Sequence, residues 1–289
     1  MSSSKTASEF ATGTASRRNQ QEGCSAAACP SGSAVSARDS KLTAWCGAVT
    51  LEPGCLMFAG GVGITGLHSH AAVQLMVVTE GQVELQDLYG QRLVVRAALI
   101  PTRAVHAVHG PGATAVFVYC DPDALLGRTL QDCFTGKQRD RLGAWAAAAG
   151  PAQRAAEAPT QDRVGQESLR ALAGGPRPVR VGHPALRRAI DRTQSLLGGP
   201  VRLQDLAAAV DLSPSRLGHL FAEELGLSFP VYLRWARLRR AMELVREGAT
   251  LTEAAHRAGF ADSSHLTRVF HEMFGLAPSV VLRSIRWNT

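Results

Sequence analysis

The hydrophobic pattern changes character along the chain. Between 42 and 121 it breaks into short apolar runs, among them VQLMVVTEGQVELQDLYGQRLVV and TAVFVYC, with Gly81 and Gly90 between them. Runs of this kind, rich in Val and bounded by glycine, predict β-strands. From 122 to 149 the apolar positions Leu125, Leu126, Leu130, Phe134, Leu142 and Trp145 fall at helical intervals. Residues 150–182 hold Pro, Gly and Ala without a sustained period and read as a linker, with a helical turn or two at 166–173. Beyond 183 the spacing is helical throughout. Residues 1–40 are rich in Ser, Ala, Gly and Thr with few large apolar residues, and predict a disordered tail.

Two stretches of the helical part repeat each other. Leu203, Ala207 and Leu212 align with Leu251, Ala255 and Phe260, and after one inserted residue Leu217, Phe221, Gly226 and Arg234 align with Leu266, Phe270, Gly275 and Arg283. Each copy predicts a short helix, a capped turn and a second amphipathic helix, at about 213–225 and 262–274. Ser213 is a good N-cap with Pro214 at the first helical position; Asp262 caps the second copy after Gly259 turns the chain. The buried stripes are Leu217, Leu220, Phe221 and Leu225, then Leu266, Val269, Phe270 and Phe274, and Gly226 and Gly275 stand at C-cap positions. Ser215, Arg216, Gly218 and His219 remain outward in the first copy, and Ser263, Ser264, Thr267, Arg268 and His271 in the second. A plain helical bundle would explain one such stripe. Two copies with the same stripe, cap and trailing glycine point to tandem helix-turn-helix units and a double-stranded DNA partner.

The runs AHRAGFADSSHLTRVFHEMFGLAPS at 255–279 and LSPSRLGHLFAEELGLSFPVYLRWARLRRAMELVREG at 212–248 closely resemble the AraC-type (AraC/XylS) transcription regulators, over about residues 183–287. The resemblance implies a seven-helix domain whose two recognition helices enter adjacent major-groove segments. The helix joining the two units is visible without it: Val231, Trp235, Leu238, Met242 and Val245 keep helical period up to Gly248. At ~1.5 Å per residue its length is on the order of 25–30 Å, which suits reading heads about one DNA turn, ~34 Å, apart.

Composition adds less. The formal charge of +7 suits a phosphate-rich partner, although an Ala- and Arg-rich chain with few lysines also fits a GC-rich genome. No stretch is long and apolar enough to span a membrane and the N-terminus lacks an apolar signal core, so a cytoplasmic protein is expected. Cys24, Cys29, Cys46, Cys55, Cys120 and Cys133 show no metal-knuckle spacing and read as free thiols.

The strand-rich part carries a second signal. His68 and His70 are followed by Gln74 and Gly81, then Pro101, Arg103, His106 and His109. Histidines at i and i+2 on one strand share a face. The spacing resembles the two cupin motifs, an HxH with a carboxylate four residues on and then PxGxxH. In metal-binding cupins such imidazoles hold iron, manganese, nickel or zinc. Here Gln74 stands for the carboxylate and Arg103 for the glycine, and both departures weaken a divalent site. The expectation is therefore a pocket of His68, His70, Gln74, Arg103 and His106 for a small-molecule effector, with no metal, no cofactor and no catalytic residue. Arg103 either pairs with an anionic effector or is a solvated surface charge, and His109 is expected on an exposed loop.

The expected architecture is α+β in two domains: a cupin-like effector-sensing barrel at 41–121, a helical stretch at 122–149 that makes a homodimer, the linker, and an all-α domain at 183–289 with two helix-turn-helix units. The expected function is sequence-specific, effector-responsive transcription control, with RNA polymerase as a partner of an activator. The alternative is a metal-dependent cupin enzyme fused to a DNA-binding domain.

Overall fold

The computed structural model describes residues 45–134, 136–155, 161–173, 182–282 and 284–288. The tail expected at 1–40, with Cys24 and Cys29, lies outside the described residues, as do 174–181 of the expected linker. Eight strands come first: β1 (Cys46–Glu52), β2 (Cys55–Gly61), β3 (Val73–Glu80), β4 (Val83–Asp87), β5 (Arg92–Val95), β6 (Ala97–Ile100), β7 (His106–His109) and β8 (Thr114–Cys120). The helices are α1 (Leu125–Gln131), α2 (Leu142–Ala148), α3 (Gly150–Ala155), α4 (Gln161–Ala173), α5 (Pro184–Ser195), α6 (Leu203–Ala209), α7 (Pro214–Leu225), α8 (Phe229–Arg246), α9 (Leu251–Arg257), α10 (Ser263–Phe274) and α11 (Pro278–Leu282), followed by β9 (Ile285–Trp287). A sheet-rich N-terminal part thus precedes a helical part, and β9 corrects the expectation that residues 183–289 are all-α.

The strands form two sheets, ordered β6-β3-β8-β2-β1-β9 and β5-β4-β7, linked by isolated bridges at Ile64–His109 and His68–His106. Residues 73–78 of β3 and 115–120 of β8 are buried on both faces, which is why they read as continuous apolar runs and not as alternation. One face is covered by α4: a Cβ on Gly165 would meet Met57 Sδ and the side chains of Val116 and Val118. Phe58, Phe117 and Tyr119 line the other face, together with Phe270 and Phe274 of α10 and Leu238 of α8. Helices of the C-terminal part therefore complete the sheet's inner core.

Within 150–182, expected as a linker, residues 150–155 and 161–173 form α3 and α4, which corrects that part of the expectation, while 156–160 also lie outside the described residues. These helices bury Ala152, Val164 and Leu172, and Ser168 Oγ donates to Ala152 O at 3.3 Å. Beside Val164, Leu169 and Leu172 the contact surface holds Ala152, Gly165 and Ser168, whose small side chains let backbones approach and interrupt the apolar stripe in the sequence. The expected dimer face is also used up within the chain: Leu130, Phe134, Leu142 and Trp145 are buried, and of the positions named there only Leu125 stays exposed. The argument that these residues need a second copy as cover is removed.

The last strand joins the two parts of the chain. β9 pairs in parallel with β1, Gly47 opposite Ile285 and Val49 opposite Trp287, and the Asn288 N–H donates to Val49 O at 2.8 Å. On α8, the Trp235 indole donates to Asp121 Oδ1 at 2.9 Å, the Tyr232 hydroxyl to Asp123 Oδ2 at 2.9 Å, and the Arg239 guanidinium to Glu52 O at 2.9 Å. Arg239 also pairs with Asp121 at 3.6 Å. Burial pushes the Asp121 carboxyl up to about 6 against the pull of Arg239.

Candidate functional site

The two helix-turn-helix units are built alike. In the first, α6 leads through Asp211 at φ 58° into the N-cap Ser213, whose side chain accepts from the Arg216 N–H at 3.2 Å. In the second, Thr250 and Glu253 form a reciprocal capping box at the start of α9, Gly259 turns at φ 86°, and Asp262 accepts from the His265 N–H at 2.7 Å. The capping box is a T-x-x-E signature that the pattern reading passed over. α7 buries Leu217, Leu220, Phe221 and Leu225; α10 buries Leu266, Val269, Phe270, Met273 and Phe274. Gly226 at φ 68° and Gly275 at φ 70° close them in the left-handed conformation.

Opposite these stripes, Ser215, Arg216 and His219 are exposed on α7, as are Ser264 and Arg268 on α10, with Ser263 and Thr267 half-buried beside them. Arg216 is drawn to Glu223 at 3.4 Å on its own helix. Arg268 makes no ion pair recorded among the described residues. The face α10 turns outward thus offers hydroxyls and a guanidinium. α7 also offers a hydroxyl and a guanidinium, at Ser215 and Arg216, but at the positions matching Thr267 and Arg268 it has the half-buried Gly218 and the imidazole of His219.

In the N-terminal part, His68, His70 and His106 come together, one nitrogen from each lying within 4.8 Å of the others, and all three are buried. Each Nδ1 lies against the carbonyl two residues away on its own segment: Gly66 O at 2.9 Å, Ala72 O at 2.8 Å and Ala104 O at 3.0 Å. Gln74 Oε1 stands 2.5 Å from His70 Nε2 and 3.2 Å from His106 Nε2, while Gln74 Nε2 is buried without a hydrogen-bond partner. Burial holds the imidazoles in the neutral form: His68 is lowered to about 3, with His70 adding repulsion, and burial also lowers His70 and His106. Neutral imidazoles anchored through Nδ1 present Nε2 lone pairs, so this donor set fits the metal that the cupin resemblance implies.

Arg103 does not join this cluster. Its side chain is exposed and its backbone sits at φ 63°, the left-handed region where the motif has glycine. Its contribution is the backbone N–H, which donates to His70 O at 2.9 Å. The expectation that its guanidinium lines the pocket is corrected. His109 is exposed as expected, but it ends β7 and is not in a loop.

His68 also borders a cavity of about 80 Å³ between the sheet and the C-terminal helices, lined by apolar residues that include Phe58, Phe117, Phe270 and Trp287. The segment carrying His68 touches the end of α10. Gly66 N–H donates to Gly275 O at 3.0 Å and Ser69 N–H to Glu272 O at 3.3 Å. The Tyr119 ring packs edge-on against both His70, centroids 5.2 Å apart, and Phe274, 5.4 Å apart. These contacts, of which the two hydrogen bonds join residues some 200 apart, left no trace in the sequence pattern.

Residues 206–284 match the family described as a helix-turn-helix domain. The chain is similar to the transcriptional activator RhaR of Pectobacterium atrosepticum, 38% identical over 84 residues, which is 29% of this chain and 30% of RhaR. It is also similar to the uncharacterized helix-turn-helix regulator YpdC of Escherichia coli, 36% identical over 80 residues, or 27% of this chain and 28% of YpdC. The chain thus spans under a third of the length of these curated relatives. Over a longer stretch its fold is similar to that of an apo form of ToxT from Vibrio cholerae, with a TM-score of 0.53 at 12% identity over 81% of this chain and 98% of ToxT. Wild-type ToxT bound to an unsaturated fatty acid is similar too, with a TM-score of 0.52 at 13% identity over 81% of this chain and 96% of that one.

Proposed function

We propose that this chain, whose C-terminal part is an AraC-type helix-turn-helix domain, is a sequence-specific DNA-binding transcription regulator whose N-terminal part senses a small effector. The carrying observation is the duplication itself: α7 and α10 share N-cap, buried stripe and left-handed glycine, and each leaves a polar face exposed. A helix held by its stripe and capped at both ends is rigid enough to present side chains to a major groove. Ser215, Arg216 and His219 contact DNA from the first unit, and Ser263, Ser264, Thr267 and Arg268 from the second. The chain acts by binding and not by turnover, in the cytoplasm beside the chromosome. Among the described residues no helix is long and apolar enough to cross a membrane.

The effector site of this reading is the cluster of His68, His70, Gln74 and His106. Its support is the packing of that cluster on the end of α10, which gives a ligand a direct mechanical path to a DNA-contacting helix. A homodimer and contact with RNA polymerase belong to the same reading. The exposed run Leu88, Tyr89, Leu93 and Val94 around the β4–β5 turn is the apolar surface left for a second copy.

The test is selection of bound sequences from random DNA with the full chain, followed by binding measurements on the selected site. A defined site that is bound well above random DNA, and lost in Arg268→Ala without unfolding, supports the reading. Binding that is indifferent to sequence rejects it.

A further inference from the structure

The histidine cluster is chemically incomplete as it stands. A backbone carbonyl only accepts, so the Nδ1 atoms on Gly66 O, Ala72 O and Ala104 O carry the imidazole hydrogens. Each Nε2 is then a bare lone pair. His70 and His106 direct theirs at Gln74 Oε1, which is itself an acceptor. Buried acceptors facing one another with no hydrogen between them are unfavourable. Turning the Gln74 amide over would supply donors to two imidazoles. It would leave His68 unmatched and put the oxygen where the amide nitrogen now has no partner. Protonating an imidazole would place a charge in a buried site where, among the described residues, no carboxylate joins the three histidines in their cluster. A cation among the three clustered imidazoles, beside the Gln74 oxygen that already faces two of them, would give these acceptors a shared partner.

We propose that His68, His70, His106 and Gln74 bind one divalent late-transition-metal cation of the zinc, cobalt or nickel class, and that its binding sets the position of α10. The donors are three neutral imidazole nitrogens and one amide oxygen, a set that suits borderline metals and not magnesium or calcium, which take oxygen ligands. Gln74 in place of a carboxylate lowers the charge of the site but not its number of donors. The protein already supplies what a metal-ligating histidine needs behind it, a carbonyl on the second nitrogen that fixes ring and tautomer.

The path to α10 is short. His68 lies between Gly66 and Ser69, whose N–H groups cap the last carbonyls of α10, on Gly275 and Glu272. A Cβ on Gly275 would come within 2.7 Å of His68 Nδ1 and of Gly66 O, so strap and helix end move together. The second path runs from His70 through the Tyr119 ring to Phe274. A cation that draws the three imidazoles together therefore acts on the strap and on the aromatic stack that hold the end of the helix. The regulatory half of the proposal rests on the reading of α10 as a DNA-contacting helix.

The experiment uses the full chain stripped with EDTA and titrated with Co²⁺, whose visible absorption reports coordination, and with Zn²⁺, with Mg²⁺ as the control. The expected result is one Co²⁺ per chain, displaced by Zn²⁺ and not by Mg²⁺. Binding is lost in His106→Ala and kept in Arg103→Ala. Gln74→Glu, which restores a charged donor, tightens binding at least about tenfold, a gain that a misfolded variant cannot imitate. Zn²⁺ changes affinity for the selected DNA site at least about fivefold, the lower end of ordinary allosteric coupling, and changes hydrogen exchange at the last turn of α10. Absence of stoichiometric Co²⁺ binding overturns the site. Binding with no change in exchange at α10 overturns the coupling, whether or not the chain selects DNA. Failure to select any DNA sequence, with metal binding and exchange as expected, overturns the proposed function and leaves the metal-driven movement of α10 standing.

Discussion

Gly226 and Gly275 hold the same place in the two helix-turn-helix units and the same left-handed backbone, at φ 68° and 70°, yet their surroundings differ. A Cβ on Gly226 would reach Arg139 Nη2 at 3.4 Å and Thr102 Oγ1 at 3.5 Å, ordinary contacts with side-chain ends. A Cβ on Gly275 would meet Gly66 O and His68 Nδ1 at 2.7 Å and Thr65 Cβ at 2.9 Å. Both substitutions incur the left-handed penalty of an L side chain, ~1–2 kcal/mol. Gly275→Ala adds overpacking of about 1–3 kcal/mol. Urea unfolding of the two alanine variants should rank Gly275→Ala clearly below Gly226→Ala; equal losses would mean that the end of α10 is not held against the strap.

Acid should destabilise the metal-free chain. Burial keeps His68 near 3 and holds His70 and His106 below their ordinary value of 6.5. Below about pH 6.5 the unfolded chain binds protons that the folded chain refuses, so stability falls as pH falls, by ~1.4 kcal/mol per pH unit per histidine. Asp121 works the other way. Its folded pKa of about 6 lies above the ordinary 3.8, so the folded chain takes up that proton first and gains stability as pH drops between those values. Asp123, which burial also raises, acts the same way, so two carboxyls stand against three imidazoles and the histidines stay dominant. Urea midpoints measured in EDTA should decline from about pH 7 to about pH 5; a flat profile would show that the imidazoles take up protons while folded.

Arg103→Gly should be neutral to stabilising, by up to ~1 kcal/mol. The left-handed penalty at φ 63° is relieved and part of it is returned as unfolded-chain entropy. The backbone N–H that holds His70 O is retained in glycine. Thermal unfolding checks the first point. Co²⁺ titration checks the second, and a loss of binding would give the guanidinium a role its exposed position does not suggest.

The two reading heads should divide their work unequally. Arg268 can make a two-pronged base contact, worth ~1–3 kcal/mol of discrimination. His219 can make one hydrogen bond, and Arg216, turned to Glu223, is long enough to reach phosphate. Single base-pair changes across the selected site should hurt most under α10. Larger losses under α7, or His219→Ala costing more discrimination than Arg268→Ala, would reverse the assignment.

Gly218 offers a related measurement. Its added Cβ would meet only Leu203 Cδ2, at 3.6 Å, so the fold has room for alanine. Gly218→Ala should stabilise the domain by up to ~1 kcal/mol. If DNA affinity drops in this more stable variant, the glycine serves close approach of the helix to DNA. Unchanged affinity leaves it without that role.

Much of this arrangement was legible in the chain. Ser213, Asp262, Gly226 and Gly275 act as caps because capping depends on residues a few positions apart. The HxH spacing pointed to the meeting of His68 and His70 with Gln74, but not for the strand geometry expected: both histidines lie in the segment between β2 and β3, His68 holding only a single bridge to His106, and Gln74 alone is on a strand. α4 was read only as a helical turn or two at 166–173: Val164, Leu169 and Leu172 keep helical spacing, but Gly165 and Ser168 on the packed side break the stripe into isolated apolar positions. β9 was missed because a three-residue strand carries almost no pattern, and its partner β1 lies more than 230 residues earlier. Arg103 was assigned to the pocket from its motif position, which determined its backbone conformation and not the direction of its side chain.

The amino-acid sequence by itself determined the duplicated helical units, their caps and stripes, the outward side chains of α7 and α10, and the set of histidines near one strand. All of these depend on local spacing, on propensity, or on a pattern repeated within about fifty residues. Only the tertiary structure decided that the end of α10 rests on the strap carrying His68, that Tyr119 bridges His70 and Phe274, and that β9 completes the sheet begun by β1. Those contacts join residues far apart along the chain. They are selected by shape and by the pairing of buried polar groups, for which one sequence holds no periodic signal.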